Sequence, residues 1–393
     1  MEVPGARYPR IHLTMDNSFA SKRWTAPSDW ARIIRDLGIS CIEASADTEA
    51  DPFYCGPEVM AEWVDEVRAA SQASGVEVVN LFTGYTTYRT LGLAHPDARV
   101  RRRVAEDWLG VAARAAGRLR AGLGFYLHAF PERALQDAAV YARTKDGLYD
   151  TLAEVARRSA EAGCKATMVE QMYSPHQIPW TIAGTQEYLV EVTRRAGAAA
   201  YVAIDAGHQT GQHRFLRPSP EAVVHALETG AAAPYLGSDS AYTLFEEARG
   251  RQGGADAAAE RVCAEIGRYP HLFAASDDCD LYRWLEALGC YSPIVHLQQS
   301  SGKSSAHLPF VAAHNATGIV SPPRVLQALA RSYEQPAAPG MPPRTDDVYL
   351  TFEIFFGTAA YSRDILPALA ESVAHWRRWV PEDGLRLDDL LHR

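Results

Sequence analysis

Four short apolar runs in the second half of the chain end in side chains that a buried strand has no structural use for. Ala166-Thr167-Met168-Val169 leads into Glu170, and Tyr201-Val202-Ala203-Ile204 leads into Asp205. Ile294-Val295 precedes His296, and Tyr349-Leu350-Thr351-Phe352 precedes Glu353. An ionised carboxylate is costly to desolvate unless it is paired or metal-bound. Three of them at equivalent exits would repel one another, and a divalent cation is the simplest compensation. Oxygen and imidazole donors without a thiolate suit Mn²⁺, Mg²⁺ or Co²⁺, with Zn²⁺ admitted by the histidine.

Eight strands are predicted to position these residues: 11–15, 41–44, 76–82, 123–127, 166–170, 201–205, 294–298 and 348–354. Helical periodicity fills the gaps, as in Trp63, Val67 and Ala70, or Trp108, Val111, Ala112 and Ala115. Helices are expected over 27–37, 57–74, 97–116, 146–162, 184–196, 280–288, 322–333 and 362–379. Several stop at a glycine ahead of the next strand: Gly38, Gly75, Gly163 and Gly289. Strand–helix alternation means parallel βαβ units, and eight units without a Gly-rich loop after the first strand favour a closed barrel over a doubly wound sheet. The expected fold is therefore an α/β (β/α)8 TIM barrel formed by residues 1–393 as a single domain. Eight repeats need only about 250 residues, so long insertions are expected at the carboxyl face, within 208–276 and 300–345, with a shorter one over 83–94.

The 393 residues carry 39 basic and 48 acidic side chains, a net charge of −9. That balance argues against nucleic acid or an anionic membrane as partner, since both require a concentrated positive face. No apolar run approaches the roughly 20 residues of a membrane span, and Met1-Glu2-Val3-Pro4-Gly5 does not open a signal peptide. Six cysteines without a Cys-x-x-Cys pair read as packed free thiols. A cytoplasmic protein is expected.

In strand order, and in Asp205-Ala206-Gly207-His208 with Glu170 and Glu353, the chain resembles the xylose-isomerase-like barrel superfamily, which includes ketose 3-epimerases, sugar isomerases and endonuclease IV. The resemblance implies one divalent ion, Mn²⁺ foremost, held by Glu170, Asp205, His296 and Glu353. It implies a ketose or related sugar as substrate, proton abstraction beside a carbonyl, and a metal-stabilised enediolate. Glu170 and Glu353 would be base and acid, and His208 would contact substrate and steady the oxyanion, with Lys303 as a further donor. It also makes a homo-oligomer an open possibility. The chain departs from the epimerase pattern in two places. No second acid follows Glu170 in Gln171-Met172-Tyr173-Ser174-Pro175-His176-Gln177, and Gly302-Lys303 stands where those enzymes have arginine.

Further pocket candidates are His128 and Glu43 at strand exits, His307 and His176 on loops, and the aromatics Phe19, Trp24, Phe53, Tyr54, Tyr85 and Trp180. His12, inside the first strand, is expected in the core or rim. Gly302-Lys303-Ser304 does not complete a phosphate loop, because Leu297 stands where that spacing needs glycine, and the balance favours an unphosphorylated or glycosidic substrate. The leading expectation is a sugar isomerase or epimerase. The alternative is a lyase that expels the aglycone of a 3-keto-glycoside by β-elimination with the same base. An endonuclease-IV-like nuclease would need more histidines and a basic DNA face; Asn80 and Phe82 stand where an early ligand would fall.

Overall fold

A computed structural model describes residues 8–84, 90–127, 130–249 and 254–392. The eight expected strands are all present: β1 Arg10–Asp16, β2 Cys41–Ser45, β3 Glu77–Thr83, β4 Gly122–Phe125, β5 Thr167–Glu170, β6 Tyr201–Asp205, β7 Ile294–Leu297 and β8 Asp347–Phe352. Each pairs in parallel with its neighbours, and β1 pairs with both β2 and β8, so the sheet closes into a barrel. A two-residue strand, β9 Leu385–Arg386, adds antiparallel to the start of β1. Parallel strands covered by helices on one face and packed on the other are buried throughout, which is why these runs read as nearly continuous Val, Ile, Leu and Phe.

Helices wrap the barrel and bring their aromatic residues inward; Trp30, Trp108, Trp284 and Trp376 are fully buried. Low in the interior, Met168, Ala203 and Ile294 pack together against Tyr201 and Tyr349. Above that apolar plug the lining becomes polar, with Glu43, Asn80, Glu170, Asp205, His296 and Glu353 all buried. Carboxyl strand ends are where barrels of this kind build their sites.

Two local expectations are corrected. The helix predicted from Pro57 is preceded by one further turn, so the element runs Pro52–Ser74 with a break at Gly56, where φ is 71°. Gly38, Gly75 and Gly163 do adopt the left-handed turn expected of helix stops, but Gly289 does not, with φ of −56°. Glycine is needed there for proximity: a Cβ would come within 2.7 Å of Leu329 Cδ2. Among the described residues, the long connection between β6 and β7 contains the helices Pro220–Thr229, Asp239–Ala248 and Ala255–Ile266 before Leu281–Leu288 returns to the barrel wall. The connection from β7 to β8 carries Ala312–Asn315 and Pro322–Glu334.

Candidate active site

Glu170 ends β5 and Asp205 ends β6; His296 is the third residue of β7, and Glu353 follows β8. Barrel closure brings one donor atom from each to within 4.8 Å of all the others, and all four residues are buried. His296 Nδ1 lies 2.8 Å from Glu170 Oε1 and 3.4 Å from Glu353 Oε2. Glu353 Oε2 is buried without a hydrogen bond from any described residue. An orphaned carboxylate oxygen beside two further carboxylates and an imidazole nitrogen is the donor set of a hard divalent cation, so the residues present fit one.

Electrostatics agree with the crowding. Burial and the negative charges of Glu170 and Asp205 push Glu353 well above the usual carboxylate range, against the opposing effect of His296. Burial opposes a charged His296, yet Glu353, Glu43 and Glu170 together raise its pKa well above the ordinary imidazole value. Asp205 is held down to about 2: burial acts upward but is outweighed by His208, His307, His296 and a hydrogen bond from Gln298.

Asp205 is the most heavily braced of the four. The Gly207 and His208 backbone N–H groups each donate to its Oδ1 at 2.7 Å, and Gln298 Nε2 donates to Oδ1 and Oδ2 at 2.9 and 3.0 Å. Gly207 is required for that approach, since a Cβ would stand 2.5 Å from Gln298 Cδ. His208 Nδ1 donates to the Gln171 carbonyl at 2.7 Å. Its Nε2 therefore accepts when the ring is neutral and donates only as imidazolium, which qualifies the expected oxyanion role.

His307 joins this group from the loop after β7. Its ring stacks on Phe355 at 4.1 Å and meets His208 edge-on at 6.2 Å, and Nδ1 is 3.4 Å from Glu353 Oε2. Burial lowers its pKa to about 4, and its φ of 46° is a left-handed value seldom adopted by non-glycine residues. The opposite wall is apolar, formed by Phe82, Tyr126 and Met172 with Tyr173 packed against them.

Other sequence candidates fall elsewhere. Glu43, expected on the pocket wall, has no exposed surface and sits behind the His296 ring. Trp180 is buried against Phe215, and Phe19 is likewise interior. Lys303 is exposed on the loop after β7. His176 hydrogen-bonds the Phe130 carbonyl, and His12 pairs with Asp347 at the opposite end of the barrel. His128 and Tyr85 lie outside the described residues. Gln298 and Asp16 were missed by the sequence reading. Asp16 ends β1 beside Glu43, and burial together with the Glu43 charge raises it to about 7. The rule that found Glu353, an acid at the exit of an apolar strand, would also have found Asp16 had the first strand been extended by one residue.

No protein-family profile matches the chain. D-erythrulose 1-phosphate 3-epimerase of Brucella abortus (strain 2308) is 34% identical over 116 residues, which is 29% of this chain and 34% of that protein, so the match spans about a third of the relative's length. Among solved structures, a xylose-isomerase-type protein of Rhodospirillum rubrum superposes with a TM-score of 0.67 at 17% identity, covering 94% of this chain and 99% of its own. D-psicose 3-epimerase of Clostridium cellulolyticum H10 gives 0.52 at 11% identity, with 93% and 98% covered. 3-Keto-D-glucoside 4-epimerase of E. coli gives 0.51 at 12%, with 92% and 98% covered. In fold, the chain is a (β/α)8 TIM barrel similar to those of these solved structures.

Proposed function

We propose that the chain is a divalent-metal-dependent epimerase or isomerase of a ketose or related sugar. The observation that carries this reading is the buried convergence of Glu170, Asp205, His296 and Glu353, with donor atoms within 4.8 Å of one another. The relative and the structural neighbours named above are sugar epimerases and isomerases, which favours this reading over β-elimination.

Mn²⁺, Mg²⁺ or Co²⁺ held by those four residues would supply Lewis-acid polarisation of a carbonyl oxygen. Glu170 and Glu353 enter from β5 and β8, so two carboxylates approach the substrate from different strands. One, ionised, takes the proton beside the carbonyl, and the other, protonated at the outset, delivers its own proton to the opposite face, inverting that carbon. Return to the neighbouring carbon would move the carbonyl instead. His208, oriented by the Gln171 carbonyl, presents Nε2 to a substrate oxygen or hydroxyl. Phe82, Tyr126 and Met172 offer an apolar face to the sugar and keep water from the reacting carbon.

The test is uptake of about one Mn²⁺ per chain, measured on the purified protein, together with a screen of ketoses and 3-keto-glycosides, phosphorylated and not, for solvent deuterium exchange in D₂O. Asp205→Ala should abolish both uptake and exchange. A metal-free wild type that still exchanges deuterium would remove the metal from the reaction.

A further inference from the structure

We propose that Glu43, itself braced by Asn80, is a positioning residue that fixes His296 as a ligand through Nδ1; the inference rests on the metal reading above and adds a residue to it.

His296 Nε2 lies 2.7 Å from Glu43 Oε1, with Nδ1 2.8 Å from Glu170 Oε1 on its other edge, and Asn80 Nδ2 donates to Glu43 Oε2 at 3.1 Å. None of the three side chains has any exposed surface. In the barrel wall β2 and β7 are separated by β1 and β8, so the bond crosses the interior between residues 253 apart in sequence. A carboxylate placed there is costly unless both oxygens are satisfied, and the two donors just named satisfy them.

The consequence for the ring is chemical. A neutral imidazole has one N–H and one lone pair. An ion held by Glu170 and Glu353 would take the place of a proton at Nδ1, and Glu43 then keeps the one remaining N–H at Nε2. Phe82 meets the ring edge-on at 5.2 Å and limits its tilt. Turning the ring over would present carbon to Glu43 and to Glu170 alike, losing both contacts. A carboxylate behind a ligating histidine also raises the basicity of the ligating nitrogen, and removing such a partner typically weakens metal binding about 10–100-fold.

The experiment is a titration of the full-length, metal-stripped chain with Mn²⁺, followed by calorimetry, for the wild type and for Glu43→Ala, Glu43→Gln and Asn80→Ala. Glu43→Ala should bind about 10–100-fold more weakly. Glu43→Gln retains an acceptor for Nε2–H but not the charge, so its affinity should fall between that of Glu43→Ala and the wild type. Asn80→Ala should show a smaller loss in the same direction. Folded Glu43→Ala that binds Mn²⁺ as tightly as the wild type overturns the proposal; should that variant fail to fold, wild-type affinity in the isosteric Glu43→Gln overturns it. With ¹⁵N-histidine and Zn²⁺ in place of Mn²⁺, the His296 proton should be found on Nε2, and a proton on Nδ1 overturns the assignment. A wild-type chain that takes up no Mn²⁺ overturns the metal reading and this proposal together, whereas tight wild-type uptake with unchanged variants overturns this proposal alone.

Discussion

Replacing Glu353 with glutamine should have opposite effects on stability with and without metal. In the metal-free protein Glu353 Oε2 is a buried acceptor without a donor among the described residues, pressed against the charges of Glu170 and Asp205. Leaving such a group unsatisfied costs about 1–3 kcal/mol, and more when it is charged. An uncharged isostere removes that penalty, so metal-free Glu353→Gln should be at least as stable as the wild type. In Mn²⁺ at about 100 times its dissociation constant the wild type gains roughly 2.7 kcal/mol by mass action. For a chain of this length that corresponds to about 5 °C, at roughly 2 °C per kcal/mol. The variant, deprived of one ligand, should gain little at the same concentration. Thermal melts in EDTA and in Mn²⁺ would therefore cross: the variant melts at or above the wild type in the first and below it in the second. A variant that melts lower than the wild type by the same margin in both would show Glu353 to be a structural carboxylate.

Other perturbations reach the site from its surroundings. Gly207→Ala should drive the Gln298 side chain off Asp205, since the new Cβ would lie 2.5–2.8 Å from its amide atoms; the expected cost is about 1–3 kcal/mol of stability, read by denaturant unfolding, together with weaker Mn²⁺ binding. Glu49 receives hydrogen bonds from both Trp30 and Trp63, and burial raises its pKa to about 7. A carboxyl raised on folding stabilises most below its unfolded pKa of about 4.3 and loses that contribution as pH rises towards 7. Glu49→Gln should accordingly flatten the fall in melting temperature between pH 5 and pH 7, and an unchanged slope would assign the pH dependence to other groups.

The barrel was legible because its signals are local. Each strand is a short apolar run, and a charged residue at the exit of such a run announces itself without knowledge of its partners. The helices over 220–229, 239–248 and 255–266 were not read from sequence, although Ser219 and Ser238 cap two of them. Their stretches are rich in alanine and glycine, and alanine contributes little contrast to a hydrophobic period. Glu43 was recognised as a strand-exit acid but assigned to the pocket wall, because its partner lies on β7 and no spacing within β2 reveals it. Gln298 stands two residues after His296 and so on the same face of the chain; as an uncharged amide it carried no signal of its own.

The division of labour around the barrel has a consequence for how the molecule could be taken apart. Each donor atom of the four-residue cluster, from Glu170 to Glu353, is contributed by the later half, β5 to β8 and the residue after it, whereas the acid behind the histidine and the amide that steadies it come from β2 and β3. A fragment beginning near residue 166 would own the whole coordinating set yet hold one member of it unaimed. Complementation by a separate early fragment would then be visible as restored ion affinity, long before any turnover was measured.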